Sequence, residues 1–146
     1  MLNLIIGMGV MVICLFVQAL LVVLSIGFYA RHRDPESGPS FFSTLGVISG
    51  VMLVLVMGNF IQIAIWAALF IQLDEFTDFY TAFYHSAVNF ATLGYGDIVM
   101  SEEHRILGPL QSVNGVLMVG VSTAVMMSSL QDALRRIRES REGVEG

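Results

Sequence analysis

Three long stretches of the chain contain no charged residue and no histidine, and their positions predict its organisation. They cover residues 2–30, 37–73 and 106–131. A helix needs about 20 apolar residues to cross the hydrocarbon core of a bilayer, so each stretch is long enough to span a membrane once. The pattern therefore predicts an all-α membrane protein with three transmembrane helices.

A fourth apolar stretch, residues 79–96, differs from the other three. It contains a histidine and an asparagine and closes with two glycines, so it is too short and too polar to span. Irregular backbone at membrane depth is stable where protein buries it. We therefore expect a re-entrant segment with a short aromatic-rich helix over 76–90, capped at its start by Asp74 or Thr77.

These elements divide the chain into four parts. Two prolines and a glycine break the helix after the first span, and the tail continues the last span. The predicted parts are an N-terminal helix (1–30), a loop (31–40), a central domain (41–131, with helices over 41–73, 76–90 and 106–131 and a glycine loop over 92–97) and a helical tail (132–146).

The composition supports a membrane protein and excludes several other classes. Hydrophobic residues make up 55% of the chain and charged residues 13%, whereas a soluble domain carries about 25% charged residues. The net charge of −5 argues against nucleic-acid binding, which needs a basic face. We find no metal-ligand cluster and no nucleophile motif, so no enzyme is predicted, and no feature identifies a soluble partner.

The arginines predict the orientation. The chain has no lysine, and six of its seven arginines lie in the 31–40 loop or in the tail. Because positive residues accumulate on the cytoplasmic side, we expect the loop and the C-terminus there and the N-terminus outside. Residues 74–105 then lie outside as well, with six carboxylates against Arg105. The tail arginines are also placed to contact the head groups of membrane lipids.

The segment Thr92–Asp97 carries the most specific chemistry, with the sequence T-L-G-Y-G-D. Two glycines that flank one aromatic residue permit backbone angles that other residues resist. Successive carbonyls can then point into a shared axis, where they replace the water that a cation loses. The preceding helix directs its negative C-terminal end at the same point, which also favours a cation.

This segment resembles the T-V-G-Y-G selectivity filter of the pore-loop potassium channels. The resemblance implies that the carbonyls of Thr92, Leu93, Gly94 and Tyr95, with the Thr92 hydroxyl, bind K+. Gly96 would then complete the outer turn of the filter. The permeant K+ is the only cofactor implied, and none is covalent. Since one chain supplies one quarter of a carbonyl ring, a homotetramer is implied.

The neighbouring segments resemble the same family. Residues 76–90 would be its pore helix and 41–73 its outer helix, with Asp97, Val88 and Tyr84 supporting the filter. Residues 106–131 would be the pore-lining inner helix. Gly115 and Gly120 are candidate hinges there, with close helix packing as the alternative. The candidate gating or lining positions are Gly115, Gly120, Thr123 and Met126, together with Ser112, Val119 and Ser122.

The sequence departs from the family at several positions. A proline that commonly follows the filter is missing near Met100, Val88 stands where some members carry Glu, and Asn89 stands where Thr is common. The N-terminal helix lies outside the two-helix pattern. A non-conducting or nonselective channel-like membrane subunit with an interaction or regulatory role therefore remains the alternative to a potassium channel.

Several remaining polar or small residues have two interpretations each. Asn59 and Gln62 either bond to a neighbouring helix or lie in a permeation path. His85 either bonds to a neighbour or senses protons, and His104 is either a pH sensor or a solvated loop residue. The spacing of Gly46 and Gly50 favours close helix contact.

Overall fold

The computed structural model describes residues 1–31 and 41–142. Their regular structure is helical throughout, as the charge-free stretches predict. Three of the helices are long and apolar enough to cross a membrane, so the chain is an all-α, multi-pass membrane protein. The predicted loop residues 32–40 and the last four residues lie outside the described part. The four helices are α1 (Leu2–Arg31), α2 (Phe41–Gln72), α3 (Phe79–Phe90) and α4 (Leu107–Glu142).

The short helix α3 begins later than predicted, because a different residue caps it. Asp78 has extended backbone angles (φ −131°, ψ 150°), and its Oδ1 accepts a hydrogen bond from the Thr81 backbone N–H at 2.8 Å. This is the usual geometry of an N-cap. Asp74, one of the two predicted caps, instead adopts a positive φ of 57° in the turn that ends α2. The prediction of Asp74 or Thr77 as the cap is therefore wrong.

Helix α4 continues without a break from the predicted inner helix into the tail. The segment 132–142 contains neither proline nor glycine, so nothing in its sequence stops the helix.

Helix α1 packs against both α2 and α4, and glycines let it approach closely. A Cβ at Gly50 would lie 2.5 Å from the Phe28 ring, and one at Gly58 would lie 2.2 Å from the Leu21 side chain. Gly46, in contrast, has open space around it in the described part of the chain. The predicted contact at Gly50 is therefore present, but its partner along α2 is Gly58 and not Gly46.

A chain of buried hydrogen bonds joins the three long helices near their middle. The Gln62 side-chain N–H donates to Gln18 Oε1 at 2.8 Å, and the Gln18 side-chain N–H donates to Ser122 Oγ at 3.1 Å. The prediction that Gln62 bonds to a neighbouring helix is confirmed. Asn59 Oδ1 has no hydrogen-bond partner among the described residues. We call these bonds, with the glycine contacts of α2, the α1 seam.

The two ends of α1 are also fixed. Asn3 Nδ2 donates to the Glu103 carbonyl at 2.6 Å, and the Tyr29 hydroxyl donates to Asp132 Oδ2 at 2.8 Å. Helix α1 therefore runs parallel to α4 along almost its whole length, and the start of α1 lies beside the loop that precedes α4. The free Cys14 is buried on α1 in a core cluster with Trp66 and Phe70.

Helix α3 is held between α2 and α4 by polar contacts as well as apolar ones. Ser86 Oγ donates to the Ile63 carbonyl of α2 at 2.7 Å, and Gln111 of α4 donates to the Ser86 carbonyl at 3.0 Å. Phe90 packs with Ile63 and Met118 in a second core cluster. These contacts fix the direction in which α3 points and the position of the loop that follows it.

Candidate functional site

The loop Thr92–Asp97 leaves the C-terminal end of α3 directly. Its first residues still bond to that end: the Thr92 N–H donates to the Asn89 carbonyl and the Leu93 N–H to the Val88 carbonyl, each at 2.9 Å. The negative end of the helix dipole therefore points at the start of the loop, which favours a cation there.

The backbone of this loop alternates in handedness. Thr92, Gly94 and Gly96 have positive φ angles of 58°, 56° and 72°, whereas Leu93 and Tyr95 between them do not. In a regular strand successive carbonyls point to opposite sides, whereas positive φ at every second residue permits successive carbonyls to point to one side. A positive φ is costly for a β-branched residue such as Thr92, so the surrounding contacts must hold it.

One face of the loop is uncovered in the single chain. The side chains of Leu93 and Tyr95 are 53% and 65% exposed, although both are large and apolar or aromatic. A loop that lines an axis in several copies would be covered by those copies.

Two of the three predicted supporting residues are brought together at the outer end of the loop. The Tyr84 hydroxyl of α3 donates to Asp97 Oδ2 at 2.7 Å. This hydrogen bond holds the pKa of Asp97 below its usual value and raises the pKa of Tyr84, because it favours the charged carboxylate and the neutral phenol.

The third predicted support, Val88, acts differently. Its carbonyl accepts the Leu93 N–H, and its buried side chain lines a cavity of about 370 Å³ between α3, the loop and α4. Arg105 and Pro109 also line that cavity. The Val88 side chain thus supplies no polar contact to the loop.

Polar support on the buried side comes from His85 instead. Its Nδ1 lies 3.1 Å from the Ile98 carbonyl, and its Nε2 lies 2.9 Å from Asn89 Nδ2. The prediction that His85 bonds to a neighbour is confirmed. Its partner Ile98 was not foreseen, and the only indication in the sequence is that a histidine in an apolar helix needs a hydrogen-bond partner.

A second unforeseen contact ties the segment after the loop Thr92–Asp97 to the turn after α2. Glu75 accepts hydrogen bonds from the Ser101 N–H at 2.8 Å and from the Ser101 hydroxyl, and it lies 2.5 Å from His104 Nδ1. Burial alone would raise the pKa of Glu75, but the bonds from Ser101 and His104 bring it below its usual value. The interpretation of His104 as a solvated loop residue is wrong, since its side chain is only 13% exposed.

The candidate gating or lining positions of α4 fall into two groups. The first group faces other parts of the same chain. Ser112 Oγ donates to the Asn89 carbonyl at 2.9 Å, and Ser122 accepts from Gln18 of α1, so neither is turned to an open pore face. A Cβ at Gly115 would lie 2.1 Å from the Phe90 carbonyl oxygen. Close packing, the alternative to a hinge, is therefore present at Gly115.

The second group lies on the less covered side of α4. Val119, Gly120 and Thr123 are exposed, and Met126 is half-buried. A Cβ at Gly120 would meet open space within the described residues. Thr123 Oγ1 donates to the Val119 carbonyl at 2.8 Å.

Two spanning helices, with a short re-entrant helix and an alternating loop between them, define the pore-domain class of membrane channels. A family model described as ion channel matches residues 52–132, from the middle of α2 into the tail of α4. The chain therefore belongs to this ion channel family, of the two-transmembrane pore-domain type, and α1 is an additional apolar helix before the match. Searches of curated proteins and of solved structures found no match to the chain.

Proposed function

We propose that the protein is a potassium-selective channel that conducts K+ passively through the loop Thr92–Asp97. The observation that supports this best is the alternation of positive φ along the loop, at the negative end of α3. Carbonyls turned to one side replace the hydration shell of a cation without a fixed charge that would trap it. The oxygens of Thr92, Leu93, Gly94 and Tyr95 are the proposed ligands, and Gly96 closes the turn.

The proposed channel is a homotetramer, because one copy of the loop supplies one side of a carbonyl ring. The exposure of Leu93 and Tyr95 supports this, since three further copies would cover both side chains. In the same assembly Gly120, Thr123 and Met126 are the proposed lining of the inner cavity.

We also propose that the N-terminus is outside and the C-terminus cytoplasmic. The bond between Asn3 and the Glu103 carbonyl supports a common side for the N-terminus and the outer loop, and the arginines favour the opposite side as cytoplasmic. The carboxylates at 74–103 would then concentrate cations at the outer entrance. A cysteine introduced at Glu102 in intact cells should react with a membrane-impermeant thiol reagent, and one at Glu142 should not; the reverse result contradicts the orientation.

Flux through liposomes tests the function. Purified protein, verified as a tetramer, should pass K+ far faster than Na+, and Ba2+ should block the flux. A tetramer without flux contradicts the proposal and favours a non-conducting subunit, whereas equal K+ and Na+ fluxes favour a nonselective channel.

Gly94→Ala links the function to the loop. Gly94 has a φ of 56°, and a left-handed conformation costs an L-residue about 1–2 kcal/mol, so the preference for K+ over Na+ should fall about tenfold. Gly9→Ala is the matched control, because Gly9 of α1 has open space around it among the described residues and no positive φ. Unchanged selectivity in Gly94→Ala would refute the assignment of the filter.

A further inference from the structure

Two consecutive residues of α3 hold two consecutive residues at the outer end of the filter loop. Tyr84 bonds to the Asp97 side chain on the exposed side, and His85 bonds to the Ile98 carbonyl on the buried side. Neighbouring residues of a helix point about 100° apart, so the two hydrogen bonds hold this end of the loop from different directions. The bond from His85 is the better protected of the two, since the residue is only 7% exposed and water competes less for a buried hydrogen bond.

The partners of His85 determine which ring nitrogen carries the proton. The Ile98 carbonyl can only accept a hydrogen bond, so Nδ1 must be the donor. Asn89 Nδ2 can only donate, so Nε2 must be the acceptor. The neutral Nδ1–H form satisfies both contacts at once.

Aromatic rings hold this imidazole in place. The centroid of the His85 ring lies 5.6 Å from that of Phe70 on α2 and 5.1 Å from that of Phe76 in the following turn. The position of the Ile98 carbonyl is thus tied to the packing of α2 against α3. The Val88 side chain offers no polar contact to the loop, so among the described residues the buried side chain that links α3 to the outer end of the loop is His85.

We propose that His85 is a positioning residue for the filter, which holds the Ile98 carbonyl through Nδ1–H while Asn89 fixes its tautomer. The proposal rests on the proposed function, because its purpose is to keep the loop Thr92–Asp97 in a conducting shape. Without this bond the outer end of the loop would be anchored on the exposed side only, and the conducting shape would be lost sooner during sustained flow.

The tautomer can be measured without any assumption about conduction. In protein labelled with 15N-histidine and reconstituted in lipid, the His85 signals are identified by their loss in His85→Asn. At neutral pH we expect a protonated Nδ1 and an unprotonated Nε2. An Nε2–H tautomer would overturn the proposal even if the protein conducts K+. In Asn89→Leu, where Nε2 loses its donor, we expect a mixture of both tautomers.

Three substitutions at His85 separate positioning from simple packing. Asparagine places its amide N–H where Nδ1 lies and can still donate to Ile98, whereas glutamine extends toward the Nε2 position and leucine offers no donor. From the usual net contribution of one hydrogen bond, current in His85→Leu and His85→Gln should decay about threefold to tenfold faster than in the wild type. Current in His85→Asn should decay at a rate close to that of the wild type.

Tyr80→Leu is the matched control, because Tyr80 lies on the same helix and is 82% exposed. Equal decay in all three His85 variants, or a rescue by glutamine and not by asparagine, contradicts the proposal. A wild-type tetramer that passes no K+ refutes the proposed function instead. In that case the tautomer of His85 in the wild type and the melting temperatures of His85→Asn and His85→Gln decide whether His85 anchors Ile98.

Discussion

The proposed filter loop (Thr92–Asp97) and the α1 seam are held by different kinds of contact. The loop depends on single hydrogen bonds, such as those of Tyr84 and His85, and on a backbone with left-handed residues. The seam depends on helix surfaces that fit together at Gly50 and Gly58, with Gln18 and its partners in the middle. Loss of one hydrogen bond at the loop should therefore change the current or the selectivity, whereas a change in the seam should change the stability of the packed helices.

The largest expected effect comes from Gly115→Ala compared with Gly58→Ala. In both cases the new Cβ would lie about 2 Å from a neighbour: 2.1 Å from the Phe90 carbonyl oxygen and 2.2 Å from the Leu21 side chain. A leucine side chain can rotate away, but a backbone carbonyl at the end of α3 cannot. Overpacking costs about 1–3 kcal/mol where neighbours can adjust, so we expect Gly58→Ala to fold and Gly115→Ala to lose the assembled protein.

Size-exclusion chromatography and thermal melting in detergent measure this difference. Gly46→Ala serves as the control, because it adds a Cβ to α2 in open space. Equal behaviour of Gly115→Ala and Gly58→Ala would show that the rigidity of the neighbour does not decide the outcome.

A smaller effect is expected from Gln18→Leu in the seam. The substitution leaves the Gln62 N–H and the Ser122 hydroxyl without their buried partner. Hydrogen bonds between membrane helices are worth about 0.6–2 kcal/mol, so the free energy of unfolding should fall by about that amount. The K+ preference should not change. In denaturation experiments the double variant Gln18→Leu/Gln62→Leu should recover part of the lost free energy of unfolding. A change of K+ selectivity in either variant would contradict the view that the seam and the loop act independently.

Tyr84→Phe should show the opposite profile, with little effect on melting and a measurable effect on current. The substitution removes only the hydroxyl that donates to Asp97. We expect current to decay about twofold to threefold faster, as the loss of one exposed hydrogen bond implies. Patch-clamp or liposome flux records of Tyr84→Phe beside Tyr80→Phe measure the effect, and a lowered melting temperature without any change in decay would contradict it.

The smallest expected effect is a dependence of the melting temperature on pH, caused by Glu75. The pKa of this carboxyl is lower in the folded protein than its ordinary value of 4.5. Its contribution to stability is therefore complete above about pH 4.5 and is lost as the pH falls through the lower, folded-state value. The melting temperature of the wild type should decrease over this acidic range more than that of Glu75→Gln, which lacks the titrating group. Parallel curves would show that Glu75 does not link its turn to Ser101.

The spans and the position of the glycine loop Thr92–Asp97 could be predicted because each depends only on the order of residues along the chain. A charge-free stretch needs only its length, and T-L-G-Y-G-D needs only the order of its residues. The faces of the helices could not be predicted in the same way. In a membrane the lipid-facing and protein-facing sides of a helix are both apolar, so the sequence does not distinguish Gly46 from Gly58 or show that Ser122 faces α1.

The same limit explains the missed contacts around the loop. The pair His85 and Ile98 lies on two segments whose relative position depends on how α3 packs against α2 and α4. The pair Glu75 and His104 joins two turns that are far apart in sequence. Only the three-dimensional arrangement brings these partners together. The bond from the Thr81 N–H to Asp78 is local, but the sequence offers two other capping residues, Asp74 and Thr77, before Asp78.

The parallel path of α1 along α4 has a mechanical consequence. Of their bonds, Gln18–Ser122 lies near the middle of α4 and Tyr29–Asp132 lies in the half of α4 that is distant from the loop Thr92–Asp97. If this part of α4 moves sideways, it must either break these bonds or carry α1 with it. A movement of α4 in this region is therefore also a movement of α1.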